Sequence, residues 1–401
     1  MRSAPKILVS AGEASGDLYA SLLVAELRRL YPDAEFFGCT GPRLRAAGVR
    51  TVVDAASLAV VGLLEVVGHL PRIWKEYRKL MASAHPAPAV AILTDSPDFH
   101  LRAARRLAAR GVPVVYLVAP QVWAWRKGRL KSMRRTIRRL LCIFPFEEEF
   151  FRREGVDAAY IGHPLAGLVR AALSRDDFFK KHRLAPGRPL ISVLPGSRRG
   201  EAARHLPVLL EAVGRLYREQ AINVVLPASA TTGAAYFQGR VGDAPIRVIE
   251  GESWDAMAHA DVALVASGTV TVEAALLGTP MVSFYKVTLP SWLAGKLLVD
   301  VPFYTMVNLI AGRAVVPELM QSQMTAEALA RETRRLLNDD QARADMCAGL
   351  AEVREKLTAG PGARASEAST LSPTPGPRPP AATVAALIVQ DILEGQFAHV
   401  S

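Results

Sequence analysis

Cysteine is scarce in this sequence and widely scattered. Cys39, Cys142 and Cys347 are the only three in 401 residues. Their odd number and wide separation exclude a disulfide scaffold and any CxxC metal site, and they fit a reducing compartment. Aromatic residues make up only 7% of the chain. With no zinc-finger or RNP1-like motif among them, a nucleic-acid-binding protein is a remote alternative. No apolar run reaches the ~18 residues needed to cross a bilayer. The start, Met-Arg-Ser-Ala-Pro-Lys, passes into a strand-like run without a signal-peptide core. The expectation is a cytoplasmic chain that is either soluble or lies on a membrane without crossing it. Acidic residues are missing locally. From Leu101 to Leu140 there are twelve Lys/Arg and no Asp or Glu, whereas the whole chain carries 49 basic and 38 acidic residues for a net +11. Outside that window the balance is 37 to 38, so the basicity is local and calls for an anionic partner.

What is present reads as globular α/β. Hydrophobic residues at 50% and charged residues at 22% can bury sizeable cores. The length predicts two or three domains at ~150 residues each, two being the better reading. Short apolar runs alternate with helix-length segments. The predicted strands are Lys6–Ala11, Glu35–Cys39, Val90–Leu93, Val114–Val118 and Arg139–Phe144. A second series comprises Leu190–Leu194, Ile222–Pro227, Ile246–Ile249, Val262–Val265 and Met281–Phe284. The pattern predicts two tandem doubly wound Rossmann-like domains facing a central cleft, with ligands at the carboxyl ends of the strands. The expected division is 1–170, a hinge within Gly162–Arg188, and 186–358. A Pro/Gly/Ser-rich flexible linker follows at 359–383, then a short helix at 384–401 that completes the first domain.

Several motifs sit at strand ends. Gly12-Glu13-Ala14-Ser15-Gly16-Asp17 follows the first strand. Its glycines let backbone N–H groups face a ligand, although a tight turn with Ser15 or Asp17 as helix cap reads equally well. The spacing is not GxGxxG, so no dinucleotide cofactor is indicated. Thr94-Asp95-Ser96-Pro97-Asp98 sets two carboxylates three apart on a loop, a candidate for general-base work or for a polar turn. Leu194-Pro195-Gly196-Ser197-Arg198 offers a close backbone approach and a planar fork for a diphosphate. Ser267-Gly268-Thr269 opens a helix carrying Glu273, placed to accept two ribose hydroxyls or merely to stabilise the helix. His163 in Gly162-His163-Pro164-Leu165 reads as readily structural as functional.

Two stretches face a membrane in this reading. Leu58–Leu70 is almost wholly apolar, too short to span, and followed by Arg72, Trp74, Lys75, Arg78 and Lys79, which suits an interface or an ordinary core helix. Trp123, Trp125 and Arg126 precede the basic run. There Lys127, Lys131, Arg134, Arg135 and Arg138 recur at three- and four-residue steps, so they share a helix face.

Together these pieces resemble the lipid-A-disaccharide synthase family, from Lys6 to about Leu357. The matching segments are GEASGD (Gly12–Asp17), Gly62 with Glu65-Val66-Val67, DSPDF (Asp95–Phe99), PQVWAWR (Pro120–Arg126) and FPFE (Phe144–Glu147). They continue with GHPL (Gly162–Leu165), LPGSR (Leu194–Arg198), SGTVTVEAALLGTPMV (Ser267–Val282), Tyr285-Lys286, Asn308 and VPEL (Val316–Leu319). LPGSR and the SGT element alone would indicate only a nucleotide-sugar transferase; GEASGD with VWAWR makes the likeness specific. The resemblance implies a GT-B glycosyltransferase of lipid A biosynthesis. The implied reaction condenses UDP-2,3-diacylglucosamine with 2,3-diacylglucosamine 1-phosphate (lipid X) to a β-1,6-linked tetraacyl disaccharide 1-phosphate and UDP, with inversion. It assigns the base to Asp98, with Asp95 the alternative, and has Glu13 and Ser15 facing the reacting sugars. Gly196, Ser197 and Arg198 would hold the diphosphate and Glu273 the ribose, with Ser267, Gly268, Thr269, Asn308, Glu318 and Gln321 in the donor pocket. Trp123, Trp125, Arg126, Arg134, Arg135 and Arg138 would meet the acceptor or an anionic inner-membrane surface on its cytoplasmic face. No metal or other cofactor is implied; a second copy of the chain is a candidate partner. Another UDP-sugar GT-B transferase or a UDP-sugar epimerase is the alternative. The sequence departs from the family pattern at Ala119, at Val61 and in the interruption Ala368–Thr383.

Overall fold

A computed structural model describes residues 4–58, 63–124, 127–229, 231–288, 292, 301–358 and 380–398. It divides into two compact units, Met1–Pro164 with Leu357–Ser401, and Leu165–Lys356.

The first unit is built on a seven-stranded sheet: β1 (Lys6–Ala11), β2 (Glu35–Thr40), β3 (Arg50–Asp54), β4 (Val90–Thr94), β5 (Val114–Leu117), β6 (Arg139–Cys142) and β7 (Ala158–Tyr160). The spatial order is β3-β2-β1-β4-β5-β6-β7, and every pairing is parallel. The central strands are continuous apolar runs because helices cover both faces of such a sheet. Ile7 to Ala11 and all of β4 and β5 are buried. Chain order reverses across the β1–β4 pair, and at this switch point the crossover connections leave in opposite directions and open a crevice at the carboxyl ends. GEASGD leaves β1 there, and DSPDF leaves β4 beside it.

The second unit repeats the plan with six strands: β8 (Leu190–Leu194), β9 (Asn223–Ala228), β10 (Arg247–Glu250), β11 (Val262–Ala266), β12 (Met281–Tyr285) and β13 (Glu318–Met320). Their order is β10-β9-β8-β11-β12-β13, again all parallel. Its switch point lies between β8 and β11, from whose ends LPGSR and Ser267-Gly268-Thr269 emerge.

Strands β3 and β13 were not evident as strands in the sequence. Both are short edges, and only the two central valines of β3 are buried, so neither has the continuous apolar pattern of a central strand. The helix Ala381–Ala398 belongs to the first unit and packs on the helix Ala14–Leu30. Most of the Pro-rich linker, residues 359–379, lies outside the described residues, as do Val61, Trp125, Arg126 and residues 399–401. Of the apolar stretch Leu58–Leu70, residues 59–62 also lie outside them. From Leu63 the backbone is helical through Ser83. No helix among the described residues is long and apolar enough to cross a membrane.

Candidate active site

The first unit's site forms where β1 and β4 end. The helix Ala14–Leu30 begins inside GEASGD, so the motif is the first helical turn, not a free-standing loop. Glu13 stands at the N-cap position without a side-chain cap, which corrects the expectation that Ser15 or Asp17 caps this helix. Asp17 instead serves a neighbouring element. Its buried carboxylate accepts from the N–H groups of Gly41 (2.8 Å), Arg43 (2.8 Å) and Leu44 (3.2 Å), the amino end of the short helix Pro42–Ala46. Those amides have no partner within their own helix, and the carboxylate satisfies them. Glu13 and Ser15 are exposed at the mouth of the site.

The motif's glycines answer to Asp95. The N–H of Gly12 donates to Asp95 Oδ1 (2.8 Å) and that of Glu13 to Oδ2 (3.0 Å). A Cβ on Gly16 would sit 1.8 Å from Asp95 Oδ2, and one on Gly12 would meet the Ser96 hydroxyl at 2.4 Å. Only glycine lets this carboxylate lie against the helix. Burial pushes the Asp95 carboxyl up to about 7, against the opposing pull of the two amide hydrogen bonds. The two aspartates of DSPDF are therefore in very different settings. The Asp95 side chain is 11% exposed, whereas that of Asp98 is 77% exposed and paired with the Arg129 guanidinium.

Three residues without a sequence signal complete this corner. His100 Nδ1 lies 3.0 Å from the carbonyl oxygen of Asp95, and Nε2 lies 2.7 Å from Ser10 Oγ. The Tyr116 hydroxyl donates to the same Asp95 carbonyl at 2.6 Å. His100 is fully buried and held neutral down to about 4 by desolvation. His163 is buried too, edge-on to Tyr19 and tilted against Phe144, and burial lowers it to about 3.

Trp123 is half-buried at the end of β5. It packs edge-on to Phe146 and its indole N–H donates to Glu147 Oε1 at 3.2 Å. Glu147 also accepts from the Phe144 N–H at 3.2 Å, and burial pushes its carboxyl up to about 8. Of the remaining basic residues, Arg134 is paired with Glu154 and Arg139 with Asp157, at 2.9 and 2.8 Å. Arg102, Arg105, Arg106, Lys131, Arg135 and Arg138 are exposed and have no ion pair among the described residues.

In the second unit, Gly196 has φ +117°, Ser197 and Arg198 are exposed, and the helix Arg199–Glu219 follows. Arg198 pairs with Glu201 (3.2 Å), which also accepts from the Tyr285 hydroxyl (3.1 Å). Neutral His205 ties the turn down. Its Nδ1–H donates to the Pro195 carbonyl (2.7 Å), while Nε2 accepts from the Lys286 N–H (3.0 Å). The Thr232 hydroxyl donates to the Ser197 carbonyl (2.8 Å). At the next strand end, Ser267 donates to the Tyr304 carbonyl, and exposed Gly268 and Thr269 start the helix Thr269–Leu277. Glu273 lies one turn along, hydrogen-bonded by the Trp254 indole at 3.2 Å and raised by burial.

The other donor-pocket candidates act on backbone. Asn308 is buried, with its oxygen accepting from the Val315 and Val316 N–H groups and its nitrogen donating to the Val316 carbonyl and Glu318. Glu318 also accepts from the N–H groups of Tyr304 and Thr305 and from the Thr305 hydroxyl. The Gln321 amide pairs with the backbone of Val287. Asn308 and Glu318 thus shape the 304–316 turn. Among the described residues no group of three or more His, Cys, Asp or Glu is arranged to hold a metal ion.

With this geometry in view, comparison with known proteins is decisive. The family model described as lipid-A-disaccharide synthetase matches residues 7–369. A lipid-A-disaccharide synthase from Solibacter usitatus (strain Ellin6076) is 73% identical over 398 residues, covering 99% of this chain and 100% of the relative. The chain belongs to the lipid-A-disaccharide synthase family. It is thus a glycosyltransferase of lipid A biosynthesis. The fold is GT-B, as in the kitacinnamycin glycosyltransferase structure (TM-score 0.61, 15% identity, covering 98% of this chain and 100% of that one). A Neisseria meningitidis UDP-GlcNAc 2-epimerase bound to UDP-GlcNAc has the same fold (TM-score 0.59, 12% identity, 88% and 97% covered). Fold alone therefore does not separate transferase from epimerase; family membership does.

Proposed function

We propose that the chain joins UDP-2,3-diacylglucosamine to 2,3-diacylglucosamine 1-phosphate, forming the β-1,6 tetraacyl disaccharide 1-phosphate and UDP. The bond from the donor's anomeric carbon to the diphosphate oxygen breaks as the bond to the acceptor O6 forms on the opposite face. The acceptor's hydroxyl proton passes to a base of the first unit. Asp95 is that base. The observation carrying this choice is its cradle: both carboxylate oxygens accept from helix-terminal amides, yet burial keeps the group's pKa near 7, where a general base is most effective near neutral pH. Asp98 is instead exposed and already paired with Arg129; its salt bridge suits a role in shaping the mouth of the site. Glu13 and Ser15 flank the base and face the sugars.

In the second unit the amides of Gly196 and Ser197, at the amino end of the helix Arg199–Glu219, receive the leaving diphosphate with Arg198. Glu273 accepts the ribose hydroxyls, and the turn carrying Ser267, Gly268 and Thr269 closes around the nucleotide. Asn308, Glu318 and Gln321 hold that pocket's backbone. The acylated substrates are drawn from the cytoplasmic face of the inner membrane. Support for this comes from the six unpaired cations on the helices Pro97–Ala108 and Leu130–Thr136 and on the turn Ile137-Arg138, together with Trp74, 50% exposed, on the helix Leu63–Ser83. An interfacial aromatic beside unmatched positive charge suits anionic lipid.

The test is incubation with both acyl-sugar substrates and mass detection of the disaccharide. Asp95→Asn is expected to lower turnover by roughly 10²–10⁴-fold while leaving UDP affinity intact. Asp98→Ala is expected to cost less than Asp95→Asn. The reverse ranking would transfer the base to Asp98, and loss of the UDP-sugar without disaccharide would indicate hydrolysis.

A further inference from the structure

Asp95 and Ser96 are consecutive non-glycine residues in the left-handed region, with φ +54° and +35°. Each such residue costs about 1–2 kcal/mol, so surrounding groups must hold the turn in place. Two of them converge on one atom, the Asp95 carbonyl oxygen: the Tyr116 hydroxyl at 2.6 Å and His100 Nδ1 at 3.0 Å. A carbonyl can only accept, so Nδ1 carries the proton. Nε2 is then bare and accepts from the Ser10 hydroxyl at 2.7 Å. The Ser10–His100–Asp95 order imitates a hydrolase triad. Ser10 and His100 are, however, both 0% exposed, so no substrate carbon reaches the serine oxygen and the array is no nucleophile. Its target is main chain.

We propose that His100 and Tyr116 are positioning residues: by clamping the Asp95 carbonyl they hold the left-handed turn that aims the Asp95 carboxylate into the Gly12 and Glu13 amides. This rests on Asp95 being the base. Neither residue touches substrate. Releasing the carbonyl lets the backbone relax toward ordinary dihedrals and swings the carboxylate off the helix end and toward water. A displacement of about 1 Å at a reacting group can cost ~10²-fold in rate.

Two amides at position 100 separate positioning from packing. In His100→Asn the side-chain nitrogen falls where Nδ1 was and still donates to the Asp95 carbonyl. In His100→Gln the amide reaches Ser10 instead and the carbonyl loses its donor. Tyr116→Phe removes one oxygen and keeps the ring, which guards against a simple folding defect. His100→Gln and Tyr116→Phe are expected to lower kcat about ten- to a hundredfold, with the KM for the UDP-sugar and UDP affinity within about twofold. The acidic limb of their pH–rate profiles should move to lower pH, because exposure relieves the burial that raises Asp95. His100→Asn should restore most of the turnover and the original limb. An unchanged kcat, a fall in kcat with the limb in place, or an Asn variant no better than Gln would each overturn the proposal. Near-normal turnover of Asp95→Asn would instead remove the underlying choice of base, so the two failures are distinguishable.

Discussion

Single residues in this protein titrate far from their usual ranges because of where the fold buries them. Glu147 is held at about 8 by burial, against an ordinary 4.5. Between those values the folded chain keeps a proton that the unfolded chain has released, so stability falls as pH rises through this window. Asp95, raised to about 7, acts in the same direction. His100 and His163, neutral down to about 4 and about 3, act oppositely below about 6.5. Glu147→Gln removes one contribution only. Urea unfolding across pH 5–8 should show wild-type stability declining more steeply than the variant's, even if the variant is less stable overall through its altered hydrogen bond to Trp123 or Phe144. Parallel pH curves would show that Glu147 ionises normally. The sequence marked Glu147 only as the last letter of FPFE; its burial depends on Trp123 and on the end of β6, which no local pattern reveals. His100 and Tyr116 were invisible for the same reason, since a lone histidine or tyrosine carries no spacing signal.

Among elements, GEASGD shows how one motif divides its labour. Gly12 and Gly16 make room for Asp95, the amides of Gly12 and Glu13 bind it, and Asp17 caps a different helix. The sequence located the motif correctly at a strand end, yet the partners of Gly12, Glu13, Gly16 and Asp17 lie 24 to 83 residues away. Asp17→Ala would strand three N–H groups, at least two of them close to fully buried, and should cost about 2 kcal/mol or more. Chemical denaturation would measure this; a cost under about 0.5 kcal/mol would mean that water replaces the cap. UDP binding, which we assign to the second unit, should persist in the folded variant.

For the whole molecule, the local run of positive charge is the most consequential feature. Its twelve cations contain no acid in sequence, but folding brings Glu154 to Arg134, Asp157 to Arg139 and Asp98 to Arg129. Among the described residues, the exposed cations of this run that answer neither an acid nor a carbonyl are Arg102, Arg105, Arg106, Lys131, Arg135 and Arg138, whereas Arg110 donates to the Met81 carbonyl and the side chains of Arg126 and Lys127 lie outside those residues. Converting these six to Gln should weaken binding to anionic vesicles, by roughly 1 kcal/mol per group that reaches the surface, and most strongly at low salt. Converting Arg134 and Arg139 should do less per charge, because each already answers an acid. Equal effects, or none, would remove the lipid surface as the partner of this face. The alternation of apolar runs and helices was enough by itself to determine two parallel α/β sheets, since a strand buried on both faces must be apolar throughout, and the order of motifs was enough to determine the family. Only the tertiary structure decided which side chains share a site. The separation of buried Asp95 from exposed Asp98, the clamp on the Asp95 carbonyl and the identity of the free cations all depend on desolvation and on partners distant in the chain. Those quantities come into being when the sheets assemble.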